Sequence, residues 1–345
     1  MRNQFLLFTG PNQVVLADEE VSPDDLRPGE ALVKAEYSIV SAGTEGSHFT
    51  DLEAQMPRPP GQAAPTYPRR TGYGHLGEVV ALGPQTDNVR IGDRVLTFSN
   101  HASRVRANVG RFALPVPPEI PGRRAVATRM AGVSITALRS SSVQPGDRVV
   151  VIGLGLVGNF AAQLFQLAGA RVLGLDVAPK RLEVARRCGI REVHNSAESD
   201  PIAAVRDWSG DGQGAEIVVE AIGNSELVMQ AVEMTRRHGE TILLGSPRAR
   251  FTADVTPMLT RLHLQAIRMI GALEWTYPIP AQTERARFTI RHNYEQILGW
   301  IADGQLAVDP LVSHVLSPAQ CQEAYTGLTT KKDEYTAVVF DWSQV

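Results

Sequence analysis

Residues 148–158 read RVVVIGLGLVG, and Gly153, Gly155 and Gly158 give the spacing GxGxxG where an apolar run passes into a helical period. The first glycine of that pattern permits a tight turn, the second lets the main chain approach a pyrophosphate, and the third lets helix and strand pack closely. The N–H groups opening the helix, those of Leu156 and Val157 among them, then face the phosphates with the helix dipole behind them. A lone GxGxxG is weak, because any glycine-rich turn between strand and helix can produce one. The next apolar run, RVLGLD, ends on Asp176, however, and a carboxylate there accepts hydrogen bonds from the adenosine ribose and repels a 2′-phosphate. The composite predicts NAD(H) in preference to NADP(H). Asp176 precedes Ala178-Pro179-Lys180-Arg181 and can also act as a helix N-cap, a role compatible with the first. Arg181 either flanks the adenine or belongs to an exposed helix face.

The elements that must position this turn alternate along the chain. RVVVIG, RVLGLD, EVHN, AEIVVEAIG and ETILLGS read as strands, separated by the helical stretches GLGLVGNFAAQLFQLAG, APKRLEVARRCG, PIAAVRDWSG and SELVMQAVEMTRRHG. Such a series requires a parallel sheet with helices on both faces. Ala221 and Gly245 stand just past two of these strands and are predicted to border the cofactor crevice. Before residue 124 the pattern is all-β, with short apolar strands between Pro and Gly turns: QFLLF, NQVVLAD, EALVKAEYSIV, LGEVVALG and GDRVLTF. After about residue 280 an amphipathic helix, RHNYEQILGWIADG, leads through LVSHVLS to a second helix that opens with a capping box at Ser317-Pro318-Ala319-Gln320. The last run, TAVVFDW, is short enough to return to the N-terminal β module.

Composition excludes several classes of function. The 345 residues are 43% hydrophobic and 21% charged, and no apolar run is long enough to span a bilayer. The N-terminal apolar stretch is too short for a secretory signal, so a cytoplasmic protein is expected. A net charge of −3 without a basic run argues against nucleic acid or an anionic membrane as partner. Cys188 and Cys321 form neither a disulfide framework nor a CxxC site, and both read as packing residues.

The β module, the proline-rich exit ALPVPPEIPG, the GLGLVG…Asp unit and the C-terminal return together resemble the medium-chain dehydrogenase/reductase superfamily, in its alcohol and polyol dehydrogenase branch. The resemblance covers essentially the whole chain and is strongest over residues 145–245. It implies an α/β protein: a GroES-like β-barrel catalytic domain in two pieces, residues 1–137 and 286–345, around a Rossmann doubly wound parallel-sheet domain at 138–285. It implies as well a small-molecule substrate and a homodimer or homotetramer.

In zinc-dependent members a cysteine, a histidine in a GHE motif and a later Cys or Glu hold the metal and leave one position open for the substrate oxygen. Carried over, these positions fall on Ala42, Tyr73 and Arg129, with Gly74 in place of the motif's Glu and no cluster of structural-zinc cysteines in SNHASRVRANVGRF. A rescued site built from His48, His75, His101 and Glu45 lacks any HxxxH or HxH spacing, so no metal is expected. A guanidinium sheltered from water can stabilise a developing alkoxide, and a tyrosine hydroxyl can donate to it or relay its proton. Tyr73 and Arg129 are therefore candidate catalytic residues. Thr44 matches the family's relay hydroxyl, with His48 as a proton outlet and Glu45 beside it. The structural alternative is that Tyr73 fills a void and Arg129 pairs with Glu45. His75 and His101 read as structural, and Trp275 and Tyr277 as either a substrate-pocket wall or interface packing.

The expected function is a zinc-independent, NAD(H)-dependent oxidoreductase interconverting a secondary alcohol and a ketone on a sugar, cyclitol or polyol-like substrate. The alternatives are a C=C or quinone reductase and a catalytically silent NAD-binding protein.

Overall fold

The computed structural model describes residues 1–55, 63–248, 251–279 and 287–345. The chain divides into two compact units: Met1–Arg129 with Tyr277–Asp303 and Val312–Val345, and Met130–Thr276 with Gly304–Leu311. The expected boundary at 285/286 lies outside the described residues.

The first unit is built on β-strands. Its larger sheet runs Val312–Leu316, Ala337–Asp341, Glu30–Ile39, His75–Leu82, Arg94–Thr97 and Leu114–Pro115, and Arg104–Asn108 pairs with Glu30–Ile39. A smaller sheet joins Gln13–Glu20, Arg2–Gly10 and Arg69–Arg70. The return expected of TAVVFDW is present, as Val339 and Phe340 pair antiparallel with Ile39 and Ser38. Leu6, Phe8, Phe49, Tyr325, Val338 and Phe340 form one of this unit's apolar clusters, whose burial stabilises by about 1.5–3 kcal/mol for each large side chain.

The second unit is a six-stranded parallel sheet in the order Glu192–Asn195, Arg171–Asp176, Arg148–Ile152, Ala215–Glu220, Thr235–Leu243 and Arg268–Gly271. Val149, Val150 and Val151 are fully buried, as a central strand covered on both faces requires. One element departs from expectation: the helix expected over SELVMQAVEMTRRHG ends at Met234, and TRRHG opens the strand Thr235–Leu243. Thr235 causes the stop, since its hydroxyl bonds back to the Ala231 carbonyl at 2.7 Å and its backbone is extended. Both cysteines are buried in packing positions, as read from the sequence.

Candidate functional site

In the second unit the glycines meet the requirements of a dinucleotide turn one by one. Gly153 has φ +90°, a conformation that side chains disfavour. A Cβ at Gly158 would lie 1.8 Å from the Gly153 carbonyl oxygen, so helix and strand touch there at the backbone. At Gly155 a Cβ would meet nothing within 4 Å, which leaves the face open to a ligand. Gly155 is the N-cap of the helix Leu156–Leu167 and offers no side-chain cap, so the first-turn N–H groups are not claimed by one.

Asp176 ends its strand, 6% exposed. Its carboxylate accepts from Leu154 N at 2.8 Å and from Ala178 N at 2.9 Å, and Arg181 Nη1 stands 3.7 Å away. Asp176 is not the N-cap of the next helix, Pro179–Arg187, which is Ala178 without a side-chain cap; its carboxylate ties the glycine turn to Ala178, and each oxygen keeps a further lone pair. Ala221 N donates to Ile152 O at 3.0 Å, and Gly245 N to Glu220 O at 2.8 Å, which joins these two loops to the sheet. The residues present fit a bound dinucleotide.

In the first unit, Ala42–Phe49 is a helix with Ser41 at its N-cap, and Ala42 packs against the apolar cluster around Phe8 and Phe49. Tyr73 donates its phenolic proton to Ser41 Oγ. Arg129, 1% exposed, lies with its guanidinium 4.5 Å from the Tyr73 ring centre, 4.9 Å from Phe98 and 5.9 Å from Tyr294. Its Nε donates to the Tyr73 carbonyl at 3.1 Å and its Nη1 to the Tyr294 hydroxyl. This is a cation held by aromatic faces, where desolvation strengthens the attraction. Gly74 admits it, because a Cβ there would stand 2.8 Å from Arg129 Cγ.

The Arg129–Glu45 pair of the structural alternative does not form. Glu45 is fully buried and bound on every side: Ser41 N at 2.8 Å, Thr71 Oγ1 at 2.6 Å, Tyr325 Oη at 2.5 Å and His101 Nε2 at 3.0 Å. Burial pushes its carboxyl up, but the His101 ring and the donated hydrogen bonds more than offset this and hold it below the usual range. An ionised carboxylate only accepts, so His101 carries its proton on Nε2 and faces Ser38 Oγ with Nδ1 at 2.7 Å. Trp342 Nε1 also donates to Ser38 Oγ, at 2.8 Å. His101, read as structural, is therefore the buried partner of Glu45. Burial and then the Glu45 charge raise the Tyr325 hydroxyl well above its usual 10, which keeps it a donor.

Thr44 is half-buried one turn into the helix, its carbonyl accepting from Ser47 Oγ at 2.7 Å. His48 lies near the helix end, 3.1 Å from Glu53, which also pairs with Arg69. The structure thus brings Tyr73 and Arg129 together and links Glu45 to them through Ser41. Ser41 and Tyr294 are residues the sequence reading missed. Ser41 had a signal, as a polar N-cap type before a helix, but Tyr294 had only its place on the buried face of RHNYEQILGW. Trp275 is 48% exposed. Among the described residues no group of three His, Cys, Asp or Glu is placed to hold a metal ion.

Residues 157–283 match the zinc-binding dehydrogenase family. A solved oxidoreductase/dehydrogenase of unknown specificity involved in membrane biogenesis, from Escherichia coli, superposes with a TM-score of 0.81 at 20% identity, covering 99% of both chains. By fold the chain is similar to this dehydrogenase. An uncharacterized zinc-type alcohol dehydrogenase-like protein of Escherichia coli (strain K12) is 22% identical over 369 residues, 97% of each chain. The (R,R)-butanediol dehydrogenase of Bacillus subtilis (strain 168) is 23% identical over 263 residues, 68% of this chain and 75% of that one. Among the described residues, no helix is long and apolar enough to cross a membrane.

Proposed function

We propose that the chain is a zinc-independent, NAD(H)-preferring oxidoreductase that interconverts a secondary alcohol and a ketone, with a sugar, cyclitol or other polyol as substrate. The observation that carries this reading is the pairing of Tyr73 with Arg129, two residues onto which the resemblance carries the positions of metal ligands. The name of the (R,R)-butanediol dehydrogenase, a relative acting on a diol, supports the substrate class.

A bound nicotinamide would take up or give the hydride. The GxGxxG turn and the Leu156–Leu167 N-terminus would bind its phosphates, and Asp176 its ribose. Tyr73 relays the substrate hydroxyl's proton, accepting it in step with passing its own proton to Ser41 Oγ, whose proton in turn moves on. Arg129 opposes the negative charge that develops on the substrate oxygen, from a buried position where water screens it little. Thr44 and His48 lead the proton outward. Glu45 has no lone pair directed at substrate in this scheme; it fixes the Ser41 backbone and so orients Tyr73. The reading carries with it a cytoplasmic location and a homodimer or homotetramer.

A screen of sugars, cyclitols and secondary alcohols including (R,R)-2,3-butanediol, with NAD⁺ and NADP⁺ and a metal assay on the same preparation, tests the proposal. Tyr73→Phe and Arg129→Lys should each lower kcat by about 100-fold while the NADH Kd stays within about three-fold. Stoichiometric zinc whose removal abolishes turnover would refute the reading.

A further inference from the structure

Glu220 ends the strand Ala215–Glu220 with no exposed surface, and the scheme above does not use it. Its Oε1 accepts from the backbone N–H groups of Ile222 at 2.8 Å, Gly223 at 3.0 Å and Asn224 at 3.4 Å, and its Oε2 accepts from Gly223 N at 2.9 Å. Its carbonyl takes Leu244 N at 2.9 Å and Gly245 N at 2.8 Å, so one residue gathers the loops that follow two neighbouring strands. Those loops touch at the backbone: a Cβ on Gly223 would lie 2.2 Å from Ser246 O, and one on Gly245 would lie 2.1 Å from Gly223 N. The turn so formed presents Ile222, half exposed, against the glycine-rich turn, where a Cβ on Gly153 would meet Ile222 Cγ1 at 2.4 Å. Burial pushes the Glu220 carboxyl up, more than the three N–H groups pull it down, so a net cost is retained at this position. A buried carboxylate is expensive to keep, and an apolar side chain would end the strand at lower cost.

We propose that Glu220 is a positioning residue for the dinucleotide turn, its carboxylate folding residues 222–224 so that Ile222 braces Gly153. The inference rests on the cofactor reading above. Glu220→Gln sets an amide NH2 among backbone donors, leaving buried donors facing one another and freeing the 222–224 turn.

The test is titration of the full chain with NADH, followed by nicotinamide fluorescence, with adenosine as a competitor that lacks phosphate. Glu220→Gln should weaken NADH binding by about ten-fold and adenosine binding by less than about two-fold. Ile222→Ala, at an exposed site that folding tolerates, should weaken NADH similarly. Glu220→Gln added to Ile222→Ala should then change little, because one acts through the other. Equal losses for NADH and adenosine, additive losses in the double variant, or an unchanged NADH Kd in Ile222→Ala would overturn the proposal. If Glu220→Gln does not fold, Ile222→Ala alone decides. A wild-type chain that binds neither NADH nor NADPH would overturn the cofactor reading itself.

Discussion

His75 opens the strand His75–Leu82 and has no exposed surface. Its Nε2 donates to the Ala102 carbonyl at 3.2 Å, while Nδ1 is buried without a hydrogen-bond partner. Burial, opposed by the Ala102 bond and aided by the neighbouring His101 ring, lowers its pKa from 6.5 to about 4, so the folded ring is neutral. An unfolded chain protonates this ring near 6.5, so between pH 6.5 and 4 the unfolded state holds more protons than the folded one. Stability is therefore full above pH 6.5 and falls as pH falls through that window. At pH 5 the deficit spans about 1.5 pH units, which at about 1.4 kcal/mol per unit is ~2 kcal/mol. Urea denaturation of the wild type and His75→Leu at pH 7 and pH 5 measures it. The variant has its own baseline, but the wild type should lose ~2 kcal/mol more than the variant between the two pH values. Parallel losses in the two proteins would refute a neutral buried imidazole at this position.

Two further outcomes follow from single contacts. Asp176→Ala removes the charge at the strand end and leaves Arg181 in place, so NADPH should gain on NADH by about ten-fold or more in Kd; an unchanged ratio removes the assignment of Asp176 as selector. Gly74→Ala sets a methyl 2.8 Å from Arg129 Cγ and 2.9 Å from Ile39 Cγ2, and should cost about 1–3 kcal/mol in a thermal melt and lower turnover with it; a variant as stable and active as the wild type would mean that the Arg129 cage has slack.

What was legible in the sequence was local. Strands announced themselves by apolar runs and helices by their period, and Gly153, Gly155, Gly158 and Asp176 fall within one strand–helix–strand unit, so short-range geometry brings them together. The first unit's site is assembled otherwise. Glu45 gathers Thr71, His101 and Tyr325 from distant parts of the chain, and no spacing rule relates such positions. That is why the sequence suggests Arg129 as an alternative partner for Glu45 and not His101. The helix at Ala42–Phe49 was missed for a related reason, because glycines and polar residues there carry little helical periodicity, and the Glu45 carboxylate reaching back to Ser41 N secures its first turn.

The hydrogen bond from Tyr325 to Glu45 joins residues 280 positions apart, and the whole second unit lies between them. A ribosome therefore releases a carboxylate destined for full burial long before it makes the hydroxyl that satisfies it. Until then Glu45 must stay in water, and the first unit must wait open while the parallel-sheet unit emerges and folds. The order of synthesis thereby becomes an order of assembly: the parallel-sheet unit is completed first, and the first unit closes around Glu45 only when the chain is nearly finished.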